Sequence, residues 1–193
     1  NGPSYDVAGN VDLVGTRTVT LGGDVLVTTG NDGTIHLGNV GGAPGGSVVG
    51  GYSLTLNADT AATLNLESLD IGGDLRVSAR EEIDATVARL LATGGFATFE
   101  SIGSTTSLLL GSLETGGDLR VEADGAVDFE VLTGMDVGGA AAFDSTAAGV
   151  DINISVPNGD ATVGGDLSID GPGVVSVKTG GGLSTGGAFN IGW

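Results

Sequence analysis

The sequence has no cysteine and few basic residues, and both deficits exclude classes of protein. Without cysteine, disulfide frameworks and thiol chemistry are excluded, although secretion is compatible with this composition. Six Lys and Arg residues face 24 Asp and Glu residues, for a formal net charge of -18. So few cations cannot neutralise a nucleic-acid backbone, and an anionic lipid surface would repel the chain. Because no apolar run reaches the roughly 18 residues of a membrane-spanning helix, we expect neither a nucleic-acid partner nor membrane insertion.

Aromatic residues are also scarce, whereas glycine is abundant. The chain has two Tyr, five Phe and one Trp, but 38 Gly in 193 residues. An apolar content of 40% and a mean hydropathy of +0.28 argue against disorder, because a disordered chain cannot bury enough apolar surface to offset its entropy. The glycines are therefore expected at the turns of a folded repeat. The first residue is Asn rather than Met, which predicts a mature product or part of a longer polypeptide.

One nine-residue segment returns almost unchanged 44 residues later, as LDIGGDLRV at 69–77 and LETGGDLRV at 113–121. Gly-Gly pairs recur along the chain at steps of 28, 22, 22, 22, 22, 26 and 22 residues, and apolar residues alternate with polar ones after most of them. Alternation within a fixed longer period is typical of short strands wound into coils. We interpret the pairs as structural turns, at Gly22, Gly23, Gly50, Gly51, Gly72, Gly73, Gly94, Gly95, Gly116, Gly117, Gly138, Gly139, Gly164, Gly165, Gly186 and Gly187.

These patterns predict an all-β fold, a right-handed parallel β-helix (β-solenoid) of about eight 22-residue coils. The right hand follows from the crossover rule for parallel strands. Apolar residues two apart after each Gly-Gly pair should face the interior, with the polar Ser53 and Thr55 as the one exception. The position after each pair alternates between Asp and an uncharged residue, which separates like charges by about 10 Å, near the Debye length. The residues at this position are Asp24, Tyr52, Asp74, Phe96, Asp118, Ala140, Asp166 and Ala188.

The segment 79–92, AREEIDATVARLLA, also fits an amphipathic helix. Ile83, Val87 and Leu91 recur at helical spacing, and good helix formers surround them. However, the segment lies inside one 22-residue step, and a helix would have to replace one side of the coil without changing its length. We therefore predict strands in this segment.

The repeat predicts one β-solenoid domain over residues 1–193. Residues 1–20 would form an N-terminal coil or cap, and residues 21–193 would form the coils marked by Gly-Gly pairs. The two longer steps require loop insertions, which we place near 37–51 and near 156–162. Insertions into solenoid coils form corner loops, which often serve as binding faces.

The tandem copies of a [T/V/I]-G-G-[D/x]-L-x-V motif resemble the β-strand repeats of giant bacterial secreted surface proteins, the filamentous-haemagglutinin-like adhesins. The similarity extends over residues 21–193. It implies a right-handed parallel β-helix, export to the cell surface, and a role as a stalk or filament. It implies no catalytic residues.

The sequence offers few groups for catalysis or metal binding. Carboxylates are plentiful, but no pair is distinguished from its neighbours, so we expect no enzyme activity, no catalytic residues and no required cofactor. Gly-Gly-Asp lacks the third Gly and the nine-residue period of calcium-binding repeats. A structural Ca²⁺ is therefore a minor alternative, with Asp32 and Asp160 as its candidate ligands because each lies in a polar turn beside glycine.

The ends of the predicted coil stack suggest the function. Strands at both ends would leave backbone groups unpaired, and natural proteins cover such edges. We therefore expect a secreted structural segment of an adhesin stalk or surface filament, joined to a longer chain or self-associating end to end. The alternative is a carbohydrate-binding or carbohydrate-cleaving β-helix that recognises a surface glycan through its 37–51 loop.

Overall fold

The computed structural model describes residues 3–13, 17–39 and 42–192. These residues contain strands and turns but no helix, and each strand pair is parallel. The strands stack into about eight coils of roughly 22 residues, which confirms the predicted β-solenoid. Residues 40 and 41 of the predicted 37–51 insertion lie outside the described residues.

Most strands are short because bends interrupt each coil. In chain order they are β1 (Ser4–Ala8), β2 (Val11–Leu13), β3 (Thr18–Thr20), β4 (Val25–Gly30), β5 (Ile35–Gly38), β6 (Ser47–Gly50), β7 (Leu54–Ala58), β8 (Ala62–Ile71), β9 (Leu75–Ala79), β10 (Ile83–Thr93), β11 (Ala97–Ser101), β12 (Thr106–Thr115), β13 (Leu119–Ala123), β14 (Val127–Val131), β15 (Met135–Val137), β16 (Ala141–Ser145), β17 (Ile152–Val156), β18 (Ala161–Val163), β19 (Leu167–Asp170), β20 (Val175–Thr179), β21 (Leu183–Thr185) and β22 (Phe189–Gly192).

Each complete coil consists of three strand segments. The first segments form a nine-stranded sheet in the order β1-β4-β7-β9-β11-β13-β16-β19-β22. The second and third segments form a 13-stranded sheet, in which β8, β10 and β12 each run without a break through both segments. A Gly-Gly corner then leads from the third segment to the first segment of the next coil.

Two compensating bends explain why alternate coils have different residue patterns. In one coil, three residues separate β9 from β10, and two residues, Ala88 and Arg89, form the second bend. In the next coil, four residues separate β11 from β12, and Gly111 alone occupies the second bend. The coil length is unchanged because one bend gains the residue that the other loses. Segment 79–92 lies in β9, the following turn and β10, so the strand prediction is confirmed.

The coil that begins with β7 is offset by one residue from the register suggested by the glycines. Val25 pairs with Leu54, 29 residues later, and Leu54 pairs with Leu75, 21 residues later. Leu54 and Leu56 face the interior and are buried. The polar exception predicted at Ser53 and Thr55 is therefore wrong, and so is the predicted turn position of Gly50. Gly50 lies at the end of β6, where it pairs with Ile71, so the corner before β7 consists of Gly51, Tyr52 and Ser53.

The extra residues of the longer coils lie at bends. Between β5 and β6, residues 39 and 42–46 lie outside any strand, within the predicted insertion. In the 26-residue coil, six residues separate β16 from β17 and four separate β17 from β18, whereas the preceding coil has three at each bend. Only one of the four extra residues thus lies near 156–162. The other three lengthen the preceding turn.

The core is a continuous column of aliphatic side chains with three fully buried phenylalanines. Phe99, Phe129 and Phe143 are each at most 1% exposed. The rings of Phe129 and Phe143 contact edge to face, with centroids 5.0 Å apart and planes inclined at 67°. Such pairs contribute about 0.5–1.5 kcal/mol beyond their buried area.

Candidate functional site: the corners and the two ends of the stack

The Gly-Gly corners stack directly on one another, and this close approach explains their composition. A Cβ atom on Gly94 would overlap the carbonyl oxygen of Gly72, and one on Gly116 would overlap that of Gly94. Gly138, Gly164 and Gly186 each meet the preceding corner in the same way. These glycines are therefore required by the spacing between coils.

Threonine before a Gly-Gly pair supports the same corner. The Thr93 hydroxyl donates to the carbonyl oxygen of Gly95 at 3.1 Å, and the Thr115 hydroxyl donates to that of Gly117 at 3.0 Å. Both threonines are 5% exposed, so the hydrogen bond satisfies a hydroxyl that would otherwise be buried unpaired. The recurring Thr-Gly-Gly sequence is thus a structural unit.

The alternating aspartates are hydrogen-bond caps between coils. Ser53, not Tyr52, occupies the equivalent position in its coil, because of the one-residue offset described above. The Ser53 hydroxyl accepts the N–H of Asp74 at 3.0 Å. Each of the four aspartates uses its Oδ1 atom to accept the backbone N–H of the equivalent residue one coil later. The pairs are Asp24 with Ser53 (3.0 Å), Asp74 with Phe96 (3.1 Å), Asp118 with Ala140 (2.8 Å) and Asp166 with Ala188 (2.7 Å).

Removing one of these caps should weaken the stack measurably. Asp118→Ala is expected to lower the free energy of unfolding by about 1 kcal/mol, because the Ala140 N–H loses its acceptor. Asp118→Asn keeps a side-chain oxygen and should lose less. Chemical denaturation followed by circular dichroism measures both. Equal losses for the two variants would contradict a capping role.

A second stack of carboxylates lies in register on the outer face of the nine-stranded sheet. Glu100 pairs with Glu122, Glu122 with Asp144, and Asp144 with Asp170. Partial burial raises the pKa of Asp144 above its ordinary value of 3.8, and the Glu122 charge raises it further. Arg120 opposes the shift: its guanidinium pairs with Glu122 and lies 3.8 Å from Asp144 Oδ2.

Neutralising Asp144 should stabilise the fold in a pH-dependent way. Because its pKa is raised in the folded state, that state binds the proton more tightly than the unfolded chain does, and ionisation destabilises the fold. Asp144→Asn is therefore expected to raise the free energy of unfolding by about 0.5 kcal/mol at pH 7, the size of a like-charge cross-strand pair. The gain should disappear below about pH 3.8, where both states are protonated.

Thermal unfolding at several pH values tests this expectation. The matched control is Asp84→Asn, an exposed aspartate on β10 outside the stack. A loss of stability in Asp144→Asn at pH 7 would show that its contact with Arg120 outweighs the repulsion within the stack.

The two candidate calcium ligands are engaged in protein contacts. Asp32 Oδ1 lies 2.9 Å from the Arg80 guanidinium, and the Asp32 N–H donates to Asp59 Oδ2 at 2.8 Å. Asp160 Oδ1 accepts the N–H of Gly182 at 2.7 Å. Within residues 3–13, 17–39 and 42–192, no group of three or more His, Cys, Asp or Glu side chains is arranged to hold a metal. These contacts favour structural roles for both aspartates.

The described residues of the insertion between β5 and β6 are anchored to the next coil by Asn65. Its side-chain amide donates to the carbonyl oxygens of Asn39 at 2.8 Å and Gly42 at 3.0 Å. Asn39 in turn donates to the Ala43 carbonyl at 2.9 Å. Sequence reasoning did not find this anchor, because Asn65 lies in a strand that reads as an ordinary alternating segment.

Apolar side chains that face the interior are exposed at the N-terminal end of the stack. Tyr5, Leu13 and Val19 are 53%, 47% and 43% exposed. They line a cavity of about 830 Å³ that reaches inward to Leu56 and Leu66. Among the residues that the structure describes, β1, β2 and β3 each pair with a strand on one side only, so the first described coil presents an open apolar interior beside three strand edges.

The C-terminal end presents a similar surface. Phe189 and Ile191 on β22 are 47% and 43% exposed, although the equivalent Leu167 and Ile169 one coil earlier are buried. Leu183 is also exposed on β21. In the described part of the chain, interior-facing apolar side chains are thus exposed on both end coils, whereas most of their equivalents in the internal coils are buried.

Comparisons of the chain with protein-family models, curated proteins and solved structures found no match. The resemblance to filamentous-haemagglutinin-like repeats therefore stays a prediction from the motif. The described residues include no helix long and apolar enough to cross a membrane.

Proposed function

We propose that this chain is a structural, non-catalytic segment of an extracellular bacterial adhesin stalk or surface filament. The observation that carries this proposal is the exposure of interior-facing apolar side chains on the first and last described coils, such as Tyr5 and Phe189. Open strand edges beside exposed apolar surface favour pairing with further strands. Stacking of further coils on the two end coils would pair these strand edges and bury this apolar surface.

The rest of the molecule supports the same role. Internal coils repeat one arrangement of glycine corners, aspartate caps and apolar interior, so each coil depends mainly on its neighbours. Further coils of the same kind can therefore be added to such a stack without a change in the packing between coils. The net charge of -18 keeps the long outer surface hydrated and soluble.

Immunolabelling of intact cells of the source organism tests the location and the form. Antibodies against the purified 193-residue chain should decorate fibres on unpermeabilised cells, and protease treatment of intact cells should remove the label. Label that appears only after permeabilisation would overturn the proposal. Binding of the chain to a glycan array, without labelled fibres, would favour the carbohydrate-binding alternative.

A further inference from the structure

We propose that two copies of this chain pair side by side, in opposite directions, through the glycine corner at Gly94 and Gly95. The contact surface covers this corner and the two corners stacked on it, and we call it the corner patch. Its outward side chains are those of Asp70, Arg76, Ala92, Phe96, Glu114 and Arg120. This inference goes beyond the proposed function, because it concerns the side of the stack and depends on neither end.

The corner patch has acids on one side of the corners and arginines on the other. Asp70 and Glu114 occupy the same outward position in third strand segments two coils apart. Arg76 and Arg120 occupy the same outward position in first segments, also two coils apart. All four residues are exposed. Since neighbouring coils are about 4.8 Å apart, the two acids and the two arginines have the same spacing of about 9.6 Å along the stack.

This charge pattern is complementary to itself. A two-fold axis through the Gly94 corner, at right angles to the stack, exchanges the coil above with the coil below and the acidic side with the arginine side. Asp70 of one copy then faces Arg120 of the second copy, and Glu114 faces Arg76. Each contact occurs twice, as in any interface that joins the same surface of two identical subunits.

Among the described corners, only the one at Gly94 lies between two such pairs of acid and arginine. The outward positions beside the other stacked corners hold no second pair of this kind. They are occupied by Thr20 and Leu26, Val49 and Thr55, Ala92 and Thr98, Asp136 and Ala142, Thr162 and Ser168, and Ser184 and Asn190. The charges therefore select a single position for the axis.

Phe96, beside the proposed axis, is larger than its place in the coil requires. It is 38% exposed, and the neighbouring coil uses only its backbone N–H, which donates to Asp74 Oδ1 at 3.1 Å. Ala140 and Ala188 occupy the equivalent position in later coils and donate their N–H groups in the same way. A methyl group is therefore sufficient for the stack. Exposed aromatic rings are enriched at the centres of protein interfaces.

A groove beside the stacked corners is placed to receive this ring. It has a volume of about 420 Å³, and Asp70 and Glu114 are among the residues that line it. At the level of the axis its lining residues include Ala92 and Gly94, which have little or no side chain. Phe96 lies on the arginine side of the corner, so the two-fold axis brings it over Ala92 and Gly94 of the second copy. Burial of both rings favours association, and the ion pairs fix the orientation.

Both arginines have donors available for a second copy. Within the described part of the chain, Arg76 takes part in no ion pair. Arg120 pairs with Glu122 and lies 3.8 Å from Asp144 Oδ2, but its side chain is 55% exposed. A guanidinium has five N–H donors, so it can bind a further carboxylate from outside.

Repulsion between the copies is weakened by salt. Asp74 and Asp118 add negative charge to the corner patch, although the Oδ1 atom of each already accepts a backbone N–H. Each chain also has a net charge of -18. At physiological salt, exposed charges more than about 8 Å apart are largely screened, whereas contacting pairs are screened much less. The local pattern can therefore outweigh the net charge.

An exchange of charges tests the pairing directly. One double variant carries Arg76→Glu and Arg120→Glu, and the other carries Asp70→Arg and Glu114→Arg. Each alone should stay monomeric in sedimentation velocity at about 0.15 M salt, because like charges then face each other. An equal mixture should form one-to-one heterodimers, because opposite charges face each other again. Both variants keep a large net negative charge, so net attraction cannot produce this result.

A third double variant is the matched control. Asp84→Arg with Asp128→Arg introduces the same charges at the same two-coil spacing on the outer face of the second strand segments. Mixed with the Arg76→Glu and Arg120→Glu variant, it should form no heterodimer. Circular dichroism of each variant checks that the chain is folded.

Phe96→Ala tests the apolar part of the contact. It should weaken association of the natural chain at least about 30-fold, as expected for a residue that dominates an interface. The fold should be retained, because alanine already occupies the equivalent position at Ala140. Ile102→Ala is the control, since Ile102 is 58% exposed in a turn away from the corner patch. It should leave association unchanged.

The outcomes separate this inference from the proposed function. A natural chain that stays monomeric at the highest attainable concentration would overturn the pairing. Association that neither Phe96→Ala nor the charge variants weaken would also overturn it, because the contact would then lie elsewhere. Either result leaves the surface-labelling experiment unaffected. Label found only inside cells, together with restored heterodimers, would overturn the extracellular role and retain the pairing.

Discussion

Gly116→Ala is expected to lower the free energy of unfolding by about 3 kcal/mol, the upper range for forced overpacking. The added Cβ would overlap the carbonyl oxygen of Gly94 in the coil below. Backbone atoms at the centre of a stack cannot move aside as a flexible side chain can. The substitution should therefore separate two coils or distort their hydrogen bonds.

Gly22→Ala is the matched control for this prediction. Gly22 begins the equivalent corner in the second coil, but a Cβ there has no atom within 4 Å among the described residues. We expect a change of at most about 1 kcal/mol, in the stabilising direction, since Ala restricts the unfolded chain. Urea denaturation monitored by circular dichroism measures both variants. Similar stabilities for the two would show that the corner glycines are not required by coil spacing.

Phe143→Ala is expected to cost about 4 kcal/mol, because it removes a fully buried ring from the middle of the stack. The neighbouring coils are held in register by backbone pairing, so they cannot collapse fully into the cavity. The same measurement on Phe189→Ala provides a control, since that ring is half exposed at the end coil. A loss below about 1 kcal/mol for Phe143→Ala would contradict the packed core.

A double-mutant cycle isolates the contact between the two rings. Phe129→Ala, Phe143→Ala and the double variant should give a coupling energy of about 1 kcal/mol, as expected for an edge-to-face pair at 5.0 Å. The double variant should therefore lose less stability than the two single variants added together. Strict additivity would mean that the rings contribute only their separate burial.

Some acidic residues on the surface stabilise the solenoid, and others destabilise it. Asp118 accepts a backbone N–H from the next coil, so its carboxylate stabilises the contact between the two coils. Asp144 lies between Glu122 and Asp170 in adjacent coils, so its charge opposes folding at neutral pH. At the capping position, every second coil has an uncharged residue, so aspartates in neighbouring coils do not repel each other. In the second stack, acids occupy consecutive coils and repel one another.

The sequence by itself determined the class of fold. A 22-residue period, glycine pairs at its corners and a two-residue alternation after them predicted a parallel β-solenoid and the strands at 79–92. These features are local and repeat many times, so single irregularities do not hide them. The hydrophobic pattern also predicted which faces of the regular coils are buried.

The tertiary structure alone decided the details that depend on contacts between coils. The 29- and 21-residue steps around Leu54 result from strand pairing, which overrides the spacing of the glycines. The extra turn residues before β17, the capping by Asp118 and the contact between Gly116 and Gly94 likewise join residues that are distant in sequence. The physical reason is that a coil can lengthen or shorten at any exposed bend. Only backbone hydrogen bonding and side-chain packing against the adjacent coils select the register that buries the apolar face.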